Sequence, residues 1–348
     1  MDTLTHGIVG AAVAYAGFGR TLSRKAMLVG LGAGMLADAD GLIRSSADPF
    51  LRVVYHRHFT HAFVFVPVGA LIAILPFLLS RWGRQHWRHI YAASLLAYVV
   101  HSPLDIVTSY GTLVLWPFSH TRVAVDWISV VDPLFTLPIL MLVAWAAVAN
   151  SRRVAAIAVG LGLCYLALGA VQESRARSLQ AELAATRGHR IERGRVLPTL
   201  GNLIVWRSLY VANGTIHVDA IRVAWPGERS YVPGDSAAVV RQPPLDGDLP
   251  PAVRARFQRE FNRLWWFADG YVARSPQDPR LLGDMRYSIR TEAFEPLWGF
   301  RFHAENGSRP VDWVRVAFRG RQYGFAELWA LVEGRSPKLS PENSRRGS

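Results

Sequence analysis

Apolar residues crowd the first half of the chain in continuous runs and thin out into short alternating ones in the second half. Four runs, at about 62–80, 90–107, 131–149 and 154–172, approach the roughly 20 residues that a bilayer core demands, and they are expected to be spanning helices. Two shorter apolar segments precede them, one ending near Gly19 and one over Ala26–Ala37. Both are rich in Gly and Ala, which lets helices approach closely, so shallow or partly buried helices are expected there. Beyond residue 173 the pattern changes. Ser174–Ala185 reads as a charged, Ala-rich amphipathic helix leaving the membrane. Strands are expected from Leu203 to Ala212, Ile216 to Val223 and Val311 to Phe318, with Asn213-Gly214 as a hairpin turn, and a helix over Pro251–Phe267. The expected fold is a polytopic α-helical membrane domain (1–173), a mixed, β-rich α+β extramembrane domain (174–335) and a disordered tail (336–348).

Charge sharpens this picture. Of 348 residues 51% are hydrophobic, yet the formal net charge is +13 and the isoelectric point about 10.5. No nucleic-acid motif accompanies that charge, so membrane lipids are the expected partner and nucleic acid is not. Arg20, Arg24 and Lys25, then Arg81, Arg84 and Arg88, then Arg152 and Arg153 fall on one side if every apolar segment crosses. By the positive-inside rule that side is the cytoplasm, which puts the N-terminus, the 38–61 and 108–129 loops and the C-terminal domain outside. Arg44, Arg52 and Arg57 on the outer side run against that trend. Met1-Asp2-Thr3 lacks the basic start of a signal peptide. The single cysteine, Cys164, lies in an apolar run, where a buried small side chain is expected and a disulfide framework is excluded.

The candidate chemistry gathers in the first 105 residues. Tyr55-His56-Arg57-His58-Phe59-Thr60-His61 puts three imidazoles ahead of an apolar run, and imidazole is the commonest protein ligand for zinc and its neighbours. Asp38-Ala39-Asp40 ends the second short segment, where carboxylates are costly unless paired or metal-bound. In His101-Ser102-Pro103-Leu104-Asp105 the i, i+4 spacing sets imidazole and carboxylate on one helix face. Under the derived topology His6, Asp38, Asp40, His56, His61, His101 and Asp105 reach one membrane surface. That donor set exceeds what one tetrahedral ion needs. It suits a catalytic site with one or two divalent ions, zinc first, manganese or iron as alternatives. Arg57 is expected to hold an anionic substrate group, with pairing to Asp38 or Asp48 as its alternative role, and Asp40 to serve as base. Asp132, followed by Pro133, is expected to cap a helix.

Five motifs in this order, Asp2-Thr3-Leu4-Thr5-His6, Ala37-Asp38-Ala39-Asp40, His56-Arg57-x-Phe59-Thr60-His61, His101-x-x-x-Asp105 and Ser109-Tyr110-Gly111, resemble the YdjM-type family of membrane-bound metal-dependent hydrolases. Gly201-Asn202, Val205-Trp206-Arg207, Leu264-Trp265-Trp266-Phe267 and Asp284-Met285-Arg286-Tyr287 are similar to a longer-chain branch of that family. The chain departs from the pattern at His58, where the family often has Gly, and at Ala37, where it often has Pro. The resemblance implies a bacterial inner-membrane protein with a metal-dependent hydrolase site on His6, Asp38, His56, His61, His101 and Asp105, with Asp40 as a further ligand. The arrangement is also distantly similar to the zinc phospholipase C and P1 nuclease group. The expected reaction is hydrolysis of a phosphoester or other ester in a lipid or lipid-linked, anionic substrate. A metal-stabilised envelope scaffold without catalysis, and a metal-ion permease, are the alternatives.

Overall fold

The computed structural model describes residues 1–45, 47–245, 250–276, 278–288, 290–294, 296–303, 311–315 and 325–335. They form two units, Met1–Val171 with Leu200–Asn202, and the described residues of Gln172–Thr199 with Leu203–Ser348.

In the first unit the Asp2 carboxylate accepts from the Thr5 N–H at 3.0 Å and so starts α1 (Thr3–Leu22). The next helix, α2 (Lys25–Leu36), lies directly against α1, and glycine permits the contact. A Cβ on Gly30 would stand 2.1 Å from the Gly10 carbonyl oxygen, and one on Gly34 2.4 Å from that of His6. A 3-10 turn over Ala37–Leu42 carries Asp38 and Asp40. After α3 (Leu51–Val54) come two further 3-10 turns, Phe59–His61 and Phe63–Phe65, then α4 (Val66–Leu78), α5 (Arg81–Gln85) and α6 (Trp87–Ile106). Asp132 caps α7 (Pro133–Val148) as its sequence implies, and α8 runs over Arg152–Thr186. Small side chains such as Ala11, Ala14, Ala26, Ala93 and Ala155 fill the interior beside Tyr15 and Ile90. Leu28, Leu71, Met141, Trp145 and Leu163 point outward. Small inside and large apolar outside is the packing that suits a lipid surround.

The expected four spans need correction. Among the described residues α8 alone is long and apolar enough to cross a bilayer, or there are two such spans if the pair Leu51–His61 and Phe63–Leu78, bent by 59°, counts as one. The 13 residues of α4 reach about 20 Å and the 16 of α7 about 24 Å, short of a core of about 30 Å. Helix α6 has the length, but Arg88, His89, His101 and Asp105 interrupt its apolar run. Polytopic therefore overstates what the helices carry. The expected separate helix over Ser174–Ala185 is the continuation of α8, since the charged segment brings neither Gly nor Pro to stop it. Cys164 is exposed on that helix rather than buried.

The second unit is β-rich. Strands β1 (Arg193–Pro198), β2 (Val205–Ala212), β3 (Thr215–Val223) and β4 (Arg229–Ala238) form an antiparallel meander. Its β2–β3 turn is Asn213-Gly214, both residues at positive φ, as the dipeptide implies. After α9 (Pro251–Phe267) a second meander follows, β5 (Val272–Arg274), β6 (Leu281–Asp284), β7 (Trp298–Phe302) and β8 (Val311–Arg315), and then α10 (Phe325–Val332). Strand β2 is buried along its whole length. Leu209 and Val211 pack with Tyr271, Met285 and Phe294 on one face, while Tyr210 and Ala212 pack against Ala184 of α8 on the other. The expected strand over Val311–Phe318 is described only to Arg315, and the tail expected to be disordered (336–348) lies outside the described residues.

Candidate metal centre

The site forms at one end of the helices of the first unit. Its residues come from the second turn of α1 (His6), the 3-10 turn after α2 (Asp38, Asp40), the segment before α4 (His56, Arg57, His61) and the last turns of α6 (His101, Asp105). Arg24 and Lys25 lie at the other end, where Arg24 reaches the Val148 carbonyl and the Lys25 ammonium sits 4.2 Å from the Trp82 ring.

Two imidazoles face each other at the centre, His61 Nε2 and His101 Nε2 at 3.0 Å. Their tautomers follow from their other nitrogens. His101 Nδ1 is 2.7 Å from the Gly34 carbonyl oxygen, which only accepts, so Nδ1 carries the proton. His61 Nδ1 is 3.1 Å from Asp40 Oδ2, so it too is the donor. Both Nε2 lone pairs in the neutral rings therefore point into the same space. Asp105 Oδ2 enters it at 3.1 Å from His61 Nε2 and 3.4 Å from His101 Nε2, and Asp38 Oδ1 at 3.5 and 3.7 Å. These four residues form one group able to hold a metal ion. Asp38, Asp40 and His56 form another, and Asp38 belongs to both.

The surroundings fit a cation. Both Asp38 oxygens, Asp105 Oδ2 and His6 Nδ1 are buried without a hydrogen-bond partner. A proton on His61 Nε2 would face His101 Nε2, Asp105 Oδ2 and, at 3.5 Å, Asp38 Oδ1, but leave Asp38 Oδ2 without a partner; a divalent ion among these groups answers all of them. Burial opposes ionisation of Asp38 and Asp40, yet the surrounding imidazoles hold both carboxyls below the usual range. The ligand oxygens are thus anionic at neutral pH. Mixed imidazole and carboxylate donors suit zinc, manganese or iron(II).

Not all the expected residues stand alike. His6 stacks on His101, ring centroids 3.6 Å apart, and its Nε2 lies 3.0 Å from Asp105 Oδ1, so it borders the four-residue group. Asp40 is already engaged, accepting from His56 Nδ1 (2.9 Å), the Arg57 N–H (2.8 Å) and the Thr60 hydroxyl (2.9 Å) as well as facing His61. That leaves little for a base to use. Arg57 is buried and pairs with Asp105 at 3.1 Å. His58 packs near Trp116, 5.6 Å between rings, and belongs to neither metal group. Sequence reasoning missed Gly34, Thr60 and Thr108, which orient His101, Asp40 and Arg57. The repeated Thr-His pairs, Thr5-His6 and Thr60-His61, were the signal for Thr60, and the Gly30-x-x-x-Gly34 spacing was the signal for close packing at Gly34. Nothing in the sequence marks Thr108.

Fold and site together define a membrane-associated helical domain with a candidate metal centre, followed by a β-rich region. Residues 1–176 match the YdjM inner membrane protein family, and the chain belongs to that family. It is 30% identical over 126 residues to the inner membrane protein YbcI of Escherichia coli (strain K12), covering 36% of this chain and 72% of that one. It is 29% identical over 140 residues to the uncharacterized protein YfhP of Bacillus subtilis (strain 168), covering 38% of this chain and 42% of that one. No solved structure matches.

Proposed function

We propose that this protein is a membrane-bound metal-dependent hydrolase acting on a phosphoester, or another ester, of a lipid or lipid-linked substrate. The observation that carries the reading is the convergence of His61 Nε2, His101 Nε2, Asp38 Oδ1 and Asp105 Oδ2, drawn from three separate stretches of chain, on one buried point. A metal held there supplies Lewis acidity, activating water and stabilising a developing oxyanion. The protein's own groups prepare that chemistry. Gly34 and Asp40 fix the two imidazole tautomers, and Asp38, which belongs to both groups, would be shared between them.

The substrate class follows from what borders the cluster. The His56 side chain is 30% exposed, whereas those of His61, His101 and Asp105 are closed off, so approach is from the His56 side. The His56 ring meets that of Tyr110 edge-on at 5.1 Å, and the Arg122 guanidinium lies 4.9 Å from the same ring. Positive charge there suits an anionic group. Leu42, Phe63, Val64, Leu115 and Phe118 are exposed around the same end, Phe63 being tied to the 113–118 segment by its N–H on the Val114 carbonyl at 3.0 Å. They continue the outward apolar side of α4, which suits a substrate whose acyl or prenyl part stays in the bilayer. By the positive-inside rule the basic end faces the cytoplasm, with the metal centre and the second unit on the outer side of the inner membrane.

The test is turnover of a panel of lipid phosphoesters in mixed micelles by protein loaded with zinc or manganese. The reading predicts activity on at least one class, lost in His101→Ala while the apo protein stays folded. Metal bound with no turnover on any member of the panel makes the protein a metal-stabilised scaffold.

A further inference from the structure

We propose that Arg57 is a positioning residue that ties the two metal groups together, rather than a contact for substrate phosphate; the inference rests on the metal reading above. Its backbone and side chain hold different carboxylates. The N–H donates to Asp40 Oδ2 at 2.8 Å, a ligand of the second group. The guanidinium pairs with Asp105 Oδ1 at 3.1 Å, a ligand of the first. One residue thus spans both.

The backbone conformation explains how. Arg57 has φ +62°, the left-handed region that costs a non-glycine residue about 1 kcal/mol or more. That turn sends its N–H toward Asp40 while its side chain runs inward to Asp105, and its own carbonyl accepts from the Leu113 N–H at 3.1 Å. Both terminal nitrogens of the guanidinium are engaged within the protein, and Nε, without a hydrogen-bond partner, is buried. Nη1 donates to Thr108 Oγ1 at 2.7 Å and to the Asp105 carbonyl at 3.4 Å, and Nη2 to the Met1 carbonyl at 3.3 Å. The Tyr110 ring lies 5.0 Å from it, and the side chain is 1% exposed.

The consequence for the metal is denticity. The Met1 ammonium, Arg57 and His6 all engage Asp105 Oδ1, which leaves Oδ2 for the space between His61 and His101. A carboxylate held by one oxygen in this way offers the other as a single, fixed ligand atom. Without Arg57, Asp105 Oδ1 keeps the Met1 ammonium and His6 but loses its guanidinium partner, which loosens the single-oxygen hold on the carboxylate.

The test uses the full chain in detergent micelles with Mn(II), titrated and followed by EPR, which separates an isolated ion from a coupled pair. In Arg57→Gly the N–H on Asp40 survives and the positive φ becomes unstrained, so only the guanidinium is removed. The proposal predicts that the tighter binding step weakens about 10- to 100-fold, as when an outer partner of a ligand is lost, while the weaker step holds. Arg57→Lys, which keeps a cation beside Asp105 and guards against a folding failure in the glycine variant, should recover part of that loss. An unchanged tight step in both variants, or an equal fall in both steps, overturns the proposal. So does weakened binding of inorganic phosphate with metal binding intact, because that marks Arg57 as a substrate contact. If the unaltered protein binds no Mn(II) or Zn(II) at all, the metal reading itself fails and this inference falls with it.

Discussion

Substituting Gly34 by alanine separates the stability of the helix pair from the geometry of the metal centre. The new Cβ would stand 2.4 Å from the His6 carbonyl oxygen, against an ordinary contact of 3.4 Å or more, so α1 and α2 must part there by about 1 Å. Overpacking of this kind costs about 1–3 kcal/mol, and the gain in helix propensity from Gly to Ala returns about 1 kcal/mol. The net loss of stability is therefore modest, about 0–2 kcal/mol. The site fares worse. Gly34 supplies the carbonyl that orients His101, and His6 stacks on the His101 ring, so a shift of about 1 Å falls on both supports of one ligand, where metal–ligand distances tolerate about 0.2 Å. Metal affinity should fall about 10- to 100-fold. Gly32→Ala is the matched control in the same helix, because its Cβ would meet nothing within 4 Å. Competition with a chromophoric chelator gives the affinity, and thermal unfolding gives the stability. If Gly34→Ala binds metal as tightly as Gly32→Ala, the packing of α1 on α2 does not govern the site and the reasoning is wrong.

Two further outcomes concern the second unit. Asp284→Asn strands the buried Arg286 guanidinium, which now pairs with that carboxylate at 2.6 Å and donates to the Phe267 carbonyl at 2.7 Å, and should cost about 3–5 kcal/mol in denaturant unfolding followed by tryptophan fluorescence. A loss below about 1 kcal/mol would deny the pair that role. Burial, then His189 (rings 4.4 Å apart) and Arg187, lower the His217 pKa, with Asp219 opposing; Tyr210 stacks on the same ring. The unfolded chain then binds the more protons, so this contribution is whole above the unfolded value of about 6.5 and is lost as pH falls toward the lower folded one. Unfolding midpoints at pH 7.5 and 5.5 should differ less in His217→Asn than in the unaltered chain, and an equal difference would remove His217 from the account.

Much of the site was legible because its signals are local. His101 and Asp105 sit at i, i+4 on a helix that does persist through Pro103, and Asp132-Pro133 and Asn213-Gly214 carry their own backbone geometry. What stayed hidden depends on distance along the chain or on the backbone itself. The partner of Arg57 is Asp105, 48 residues away, where the nearer Asp38 and Asp48 were the natural guesses. The Gly34 carbonyl that orients His101 is a peptide group, identical in every residue. Hydropathy also overcounted the spans. An apolar run of about 20 residues at 62–80 contains a 3-10 turn over Phe63–Phe65 and the start of α4 only at Val66, and hydropathy is blind to where the helix begins. The border drawn near 173 lies beside the division between the two units at 171/172, although α8 itself runs on to Thr186.

Anomalous diffraction from crystals of the full chain soaked with zinc or manganese tests the central claim most directly. The account predicts an anomalous peak among His61 Nε2, His101 Nε2, Asp38 and Asp105, with a second, weaker peak at Asp38, Asp40 and His56. Crystals that take up metal only elsewhere, with the two histidines still 3.0 Å apart and no peak between the carboxylates, would contradict it.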